Sequence, residues 1–392
     1  MSKCIVVGVT GCVGAFKSVQ LVSDLVKKGY DVEVIMTKNA TEFIQPLQFE
    51  SLTQHKVMVD TFDRNFEYST QHISISKKAD LFIVTPATAN FIAKAVHGLA
   101  DDMLSTTFLA CDCPKIIAPA MNTKMYLNPI TQDNLKLCEK YGFRVLSPVS
   151  GHLACGDAGL GKLAGLNEHM DLIEEMLFTE KPLLGKKVLI NAGPTLERID
   201  PVRYISNHSS GKMGISLAKA ARNMGADVTL VCGPIQLSVP TNIKRIDIES
   251  ASDMFNAMTS NYDGADYVIC AAAIADYTPA NVANHKIKKK DDDLSIPLSR
   301  TQDILKYLGE HKTHQKLCGF AMETENEIAN GKDKLIRKNC DMLVVNSLNT
   351  AGAGFKHDTN VATILMKDKQ IDYDLMSKDE LAIHILNHLM EV

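Results

Sequence analysis

The chain has 392 residues, about two domains' worth at ~150 residues each, which is ample for two buried cores and excludes a small stapled scaffold. Hydrophobic residues make up 45% and charged residues 22%, a globular balance that excludes a disordered or collagen-like chain. Lys+Arg 42 against Asp+Glu 46 leaves a net charge of -4, so no general electrostatic case exists for nucleic acid and small molecules are the expected partners.

Cys4–Val9 is a short apolar run of strand type. Residues 11–28 place Val13, Phe16, Leu21 and Leu25 at helical spacing, and Gly29 supplies a stop. Strand-type runs follow at Asp31–Met36, Leu81–Ala87 and 115–121, the last two reaching Pro and small residues before the chain turns. This alternation predicts a doubly wound parallel sheet. A polar stretch with Pro182 and Gly185 interrupts it at 178–186, where the domain boundary is placed. The pattern restarts with a strand at Lys187–Ala192, a helix over 211–224 stopped by Gly225, and strands at Asp227–Cys232, 267–273, 317–321, 342–346 and 361–366. An amphipathic helix over 378–390 closes a second α/β domain. The chain is thus read as two doubly wound, Rossmann-like α/β domains, with ligands beyond the carboxyl ends of the strands.

Ten cysteines are scattered through apolar stretches, and only Cys111 and Cys113 lie close in sequence, so neither a zinc spacing nor a disulfide framework is expected. The first residues run straight into a strand without a signal-peptide pattern, and no apolar run approaches the ~18 residues of a membrane helix. A reducing, cytoplasmic setting without membrane association is the expectation.

The turn Gly8-Val-Thr-Gly11-Cys-Val-Gly14 lets backbone N–H groups approach a phosphate at a helix start, although a tight turn without ligand explains it equally well. The second strand ends Val34-Ile35-Met36-Thr37 with no ribose-binding carboxylate, which disfavours a dinucleotide and leaves a mononucleotide such as a flavin open. Ser210-Gly211-Lys212-Met213 fails as a P-loop because Ser206 and Met213 stand where Gly and Ser/Thr are required. The donor-rich run from Ser206 to Lys212 nevertheless suits an anionic group at a helix start, more than one capping Ser needs. Lys286, Lys288, Lys289 and Lys290 form a dense cationic run, either a solvated hairpin face or a strand that turns Lys286 and Lys288 toward a triphosphate. Lys332, Lys334, Arg337 and Lys338 at helical spacing admit the same two readings. His72, read between two strand-like segments, is by residue type alone an ordinary surface or core histidine. Cys155 stands apart, because it lies in a loop with four glycines rather than in an apolar element. Glu380, His384 and His388 share one helical face and read as a solvated stripe rather than a metal site.

Together these runs resemble, from end to end, the bifunctional phosphopantothenoylcysteine synthetase/decarboxylases of bacterial coenzyme A synthesis. Pro86-Ala-Thr-Ala-Asn90, Pro119-Ala-Met-Asn122-Thr-Lys-Met125 and Ala154-Cys155-Gly-Asp-Ala-Gly159 resemble the signatures of the flavin-dependent cysteine decarboxylases. Ala192-Gly-Pro-Thr195, Asp200-Pro-Val-Arg203-Tyr-Ile-Ser-Asn207, Ser209-Ser-Gly-Lys-Met-Gly214 and Lys286-Ile-Lys-Lys289 resemble the ligase half. The resemblance implies a flavodoxin-like flavin domain over 1–180 and a nucleotide-dependent ligase domain over 186–392.

It further implies that the ligase joins L-cysteine to 4'-phosphopantothenate through an acyl-cytidylate made from CTP, with Mg2+ offsetting the triphosphate charge. The decarboxylase then converts the product to 4'-phosphopantetheine with FMN as a temporary two-electron sink for the cysteinyl thiol. By the same resemblance His72 assists the oxidative step, Asn122 holds the departing carboxylate and Cys155 supplies the final proton. Thr10, Gly11, Thr37, Thr88, Asn90 and Ser105 are expected around FMN. Lys286 is expected to handle the triphosphate. Asp276 (also the metal ligand), Thr301, Gln302, Asp303, Ile304, Phe320, Lys334 and Lys338 are expected around the nucleotide, with Arg203 and Asn207 on the substrate and the intermediate. Homo-oligomerisation, trimeric decarboxylase cores linked by ligase dimers, is implied as well. The sequence departs from the family pattern at Cys12-Val13-Gly14, Tyr126, Lys162 and Thr301-Gln302. An ordinary two-domain flavin or nicotinamide oxidoreductase leaves Cys155 and the lysine sets unexplained. A non-enzymatic flavin-binding subunit is opposed by the intact residues at every mapped position.

Overall fold

Unbroken apolar runs, mostly β-branched, build the first sheet, because strands covered on both faces need no polar alternation. In the computed structural model, which describes residues 2–62, 70–154, 156–289, 294–323, 326–347 and 357–392, the chain divides into two compact units, Met1–Thr179 and Glu180–Val392. The first contains β1 (Cys4–Val9), β2 (Asp31–Met36), β3 (Leu81–Ala87), β4 (Lys115–Pro119) and β5 (Arg144–Val145). They pair in parallel in the order β2-β1-β3-β4-β5. Alternate residues face opposite layers. Ile5, Val7 and Val9 pack on the helices Phe16–Lys27 and Leu166–Leu177, whereas Val6, Phe82 and Val84 pack on Ala89–His97, Met103–Ala110 and Pro129–Lys140. The helix expected over 11–28 begins instead as a 3-10 turn at Val13–Ala15, preceded by Cys12, whose extended backbone carries no side-chain cap. A separate hairpin, β6 (Val149–His152) and β7 (Ala158–Lys162), follows.

The second unit holds β8 (Lys187–Ala192), β9 (Leu196–Arg198), β10 (Tyr204–Ser206), β11 (Asp227–Cys232), β12 (Lys244–Asp247), β13 (Tyr267–Cys270), β14 (Tyr277–Pro279), β15 (Leu298–Arg300), β16 (Lys316–Glu323), β17 (Met342–Ser347), β18 (Thr359–Met366) and β19 (Gln370–Ser377). Eight of these form one sheet, β12-β11-β8-β13-β16-β17-β18-β19, parallel as far as β17 and antiparallel at its last two pairings. The terminal hairpin β18–β19 adds an antiparallel edge to this α/β sheet. Strand β19 carries Gln370, Asp372 and Asp374 on a largely exposed edge, which gives it little apolar signal. The pairs β9/β10 and β14/β15 lie outside the main sheet.

Two further expectations are corrected. The strand read over 267–273 stops at Cys270, and the Ala-rich residues after it leave the sheet as a loop held by side chains. Residues 286–289 form no strand, so Lys286 and Lys288 are not displayed by β alternation. Lys290 lies outside the described residues. Among the described residues no helix is long and apolar enough to cross a membrane.

Candidate functional sites

At the carboxyl end of the first sheet, the loops after β1, β2 and β3 converge where the strand order reverses, the position at which open α/β sheets hold ligands. Thr10, Gly11, Thr37, Thr88 and Asn90 line a cavity of about 1030 Å3 there, with Asn39, Lys94, Asp101 and Met103. Buried Thr10 ties two of the loops together, its Oγ1 donating to the Pro86 carbonyl at 2.7 Å and accepting from the Thr88 amide at 3.0 Å. Thr37 and Thr88 each cap a helix start, accepting from Ala40 N and Phe91 N. Gly11 is needed for space: a Cβ there would lie 2.7 Å from Asn39 Cβ and 3.0 Å from the Asn39 carbonyl oxygen. Loop amides, threonine hydroxyls and a cavity of small-molecule size fit a mononucleotide phosphate with its ring. Ser105, expected around the flavin, is not among the residues lining this cavity; it is buried and completes a capping box with Asp102.

Asn122 and His72 do not line the cavity among the described residues. Asn122 caps the short helix Thr123–Tyr126 by accepting from Lys124 N at 2.8 Å, and only Met125 of that element reaches the cavity. His72 sits, half-buried, in the first turn of Gln71–Lys78. Cys155 lies outside the described residues. Its flanks do not: the Leu153 amide donates to the Asp157 carbonyl, and Gly156 takes φ +87°. The base of this hairpin docks on the Asn122 loop. Met121 N donates to the Gly161 carbonyl, and a Cβ at Gly161 would stand 2.3 Å from the Met121 oxygen. Lys162 therefore follows a glycine whose close contact sets how the hairpin meets Asn122.

Behind the same loops His169 is buried, its Nε2 2.8 Å from Thr85 Oγ1 and its Nδ1 2.7 Å from the Gly165 carbonyl. The carbonyl can only accept, so Nδ1 carries the proton and Nε2 accepts from the threonine. Burial, with Lys17 adding to it and Glu168 opposing, holds the His169 pKa below its ordinary value. The unfolded chain therefore binds this proton first. Stability from His169 is complete above about pH 6.5 and declines as pH falls below it, by about 1.4 kcal/mol per unit of depression at the limit. Urea midpoints read by flavin fluorescence between pH 8 and 5.5 should show that decline, and His169→Gln should flatten it; an unchanged slope would refute the assignment.

In the second unit, Asp276, Thr301, Gln302, Asp303, Ile304, Phe320, Lys334 and Lys338 all line one cavity of about 730 Å3, together with Tyr277, Arg300 and Arg337. Asp303 caps the helix Ile304–Glu310 through Lys306 N and pairs with Lys338. Burial raises its pKa, but Lys338 and the capping amide outweigh that and keep the carboxylate below its ordinary value. Lys334 donates to the Phe320 carbonyl at 3.0 Å. A neighbouring cavity of about 490 Å3 shares Asp276, Phe320 and Lys334 and adds residues 207–214, which include Asn207 and Lys212, with Asn346, Asn360 and Lys378. Asn207 Nδ2 donates to the Ile274 carbonyl at 2.9 Å. Lys286 and Arg203 line neither cavity among the described residues. Both are exposed, and Arg203 Nη2 donates to the Ile287 carbonyl at 3.2 Å.

Sequence reading missed Asn191 and gave Thr195 and Thr301 no part in shaping the loop after β13. Buried Asn191 accepts from Ala272 N at 2.8 Å, and buried Thr195 accepts from Ala275 N at 3.1 Å. Thr301 Oγ1 donates to the Ala275 carbonyl at 2.7 Å. Polar Asn191 near the end of the apolar strand β8, with Thr195 three residues beyond that strand, was the available signal.

The 2-1-3-4-5 sheet with its switch-point cavity defines a flavodoxin-like domain, joined to a second Rossmann-like domain with cavities of its own. Residues 1–178 match the Flavoprotein family model, and residues 183–392 match that of the DNA/pantothenate metabolism flavoprotein C-terminal domain. The chain is 44% identical over 385 residues to the coenzyme A biosynthesis bifunctional protein CoaBC of Bacillus subtilis (strain 168), covering 97% of this chain and 95% of that one. It is also 44% identical over 354 residues to a cysteine/cysteine sulfinic acid decarboxylase of an unknown prokaryotic organism, covering 88% of this chain and 99% of the other. A crystal structure of the C-terminal domain of a CoaBC protein is 43% identical, with a TM-score of 0.47, and covers 54% of this chain and 98% of its own. The chain belongs to the family of bifunctional coenzyme A biosynthesis proteins. It is a flavoprotein decarboxylase joined to a ligase, and it acts on small molecules.

Proposed function

We propose that the ligase half, over 186–392, joins L-cysteine to 4'-phosphopantothenate at the expense of CTP, and that the flavin half, over 1–180, decarboxylates the product to 4'-phosphopantetheine. The convergence of eight expected residues from four separate stretches of the chain, between Asp276 and Lys338, on one cavity of about 730 Å3 carries the ligase reading. A carboxylate is a poor acylating group, so activation as an acyl-nucleotide needs the triphosphate charge offset. Lys334, Lys338 and Arg337 supply cations at the cavity, and Lys286 is proposed to act on the departing pyrophosphate. Asp276 is one exposed carboxylate beside phosphate-sized space, a donor set suited to Mg2+ held mainly by substrate phosphates and water. The donor-rich residues 207–212 with Lys212 and Lys378 suit the anionic ends of the substrates. Asn207 is proposed to position the acyl-nucleotide for attack by the cysteine amine, with Arg203 as a further substrate contact.

In the flavin half, the residues on the cavity of about 1030 Å3 are suited to hold FMN, which when bound supplies a reversible two-electron acceptor. Thr10, Gly11, Thr37, Thr88 and Asn90 would hold it. Asn122 is proposed to bind the leaving carboxylate, His72 to take a proton and Cys155 to give one back. Trimeric flavin halves linked by ligase dimers belong to the same proposal.

Purified protein given 4'-phosphopantothenate, cysteine and CTP, with no reductant, should release both pyrophosphate and CO2. Cys155→Ser should release about one CO2 per flavin at close to the parental first-turnover rate, leave the flavin reduced and yield no fully reduced amide. A normal yield of that amide refutes the role of Cys155, and release of cysteamine from free cysteine alone would favour the activity named for the second relative.

A further inference from the structure

We propose that Asp200 is a positioning residue for acyl-nucleotide formation: its carboxylate holds the backbone beside Lys286 against the loop that carries Arg203 and Asn207. The inference rests on the role proposed above for Lys286.

Asp200 is 1% exposed, while Arg203, Lys286 and Lys288 around it are exposed. Its Oδ1 accepts from the amides of Val202 at 2.7 Å and Arg203 at 2.9 Å, closing its own turn. Its Oδ2 accepts from the amide of Ile287 at 3.1 Å, across a sequence separation of 87 residues. Arg203 reinforces the tie, with Nη1 3.6 Å from Oδ2 and Nη2 donating to the Ile287 carbonyl. Ala283 N donates to the Ile199 carbonyl at 3.0 Å and brings in the chain before it. Residues 286–289 lie in no strand or helix, so the backbone next to Lys286 depends on this carboxylate. Burial raises the Asp200 pKa, but the three amides and Arg203 outweigh it and keep the group ionised as an acceptor.

An amide at this position offers one acceptor and one donor. Whichever way it turns, an N–H faces either Ile287 N or the Val202 and Arg203 amides. Asp200→Asn should therefore release the Lys286 segment, and a misplacement on the ångström scale costs about 10- to 100-fold in rate.

The test is pyrophosphate release from CTP and 4'-phosphopantothenate by the full-length flavin-loaded protein. Asp200→Asn should lower kcat by about 10- to 100-fold with KM for phosphopantothenate little changed. On a Lys286→Ala background the same substitution should have almost no further effect, because the two act as one unit. Decarboxylation of supplied phosphopantothenoylcysteine should stay at the parental rate, and a parental thermal melt followed by far-ultraviolet circular dichroism shows that the second unit is folded. If Asp200→Asn does not fold, Asp200→Ser keeps an acceptor for the local turn but falls short of Ile287, and should give the same loss. A parental rate in the folded single variant, or fully additive losses in the double, overturns the inference while leaving Lys286 its role. A parental rate in Lys286→Ala removes that role and the inference with it.

Discussion

Replacing Gly11 by valine should give a protein that purifies without its yellow colour. The added Cβ alone would lie 2.7 Å from Asn39 Cβ and 3.0 Å from the Asn39 carbonyl, so the turn after β1 and the loop after β2 must part. Both line the proposed flavin cavity. Overpacking at such contacts costs roughly 1–3 kcal/mol, and about 10- to 100-fold weaker FMN binding follows. The absorbance ratio near 450 and 280 nm measures retention, and decarboxylation should fall with it while pyrophosphate release by the second unit continues. Full flavin occupancy in Gly11→Val would show that the cavity is not where the flavin sits.

Lys286→Ala should lower pyrophosphate release by about 10²- to 10³-fold, the usual effect of deleting one preorganised stabiliser of developing charge. Carbon dioxide release from supplied phosphopantothenoylcysteine should not change, because that step is assigned to the other unit. Arginine is not expected to restore the rate, since its planar fork does not occupy the space of a compact ammonium group. A rate in the alanine variant within twofold of the parent would transfer the pyrophosphate role to the cations already on the nucleotide cavity, Lys334, Arg337 and Lys338.

The parallel core was legible because strands buried on both faces announce themselves as apolar runs, as in Cys4–Val9 and Lys187–Ala192. The edge was not. Strand β19 alternates charged and apolar residues over a mostly solvated face, a pattern that also fits a loop. The Gly-rich first turn read equally well as a phosphate loop or a plain tight turn, and its dependence on Asn39, which is brought against Gly11 by the β1–β2 pairing, was not legible.

By itself the sequence determined two α/β halves, the boundary near residue 180 and, through resemblance, the residue types at each proposed site, because local periodicity and short motifs are properties of neighbouring residues. Tertiary structure alone decided that the Ile287 amide beside Lys286 is met by the Asp200 carboxylate rather than by a strand partner. It also decided that Asn191 and Thr195 shape the loop after β13. Both rest on hydrogen bonds between residues about 80 or more apart in the chain, and no local pattern encodes which distant amide a buried side chain will meet.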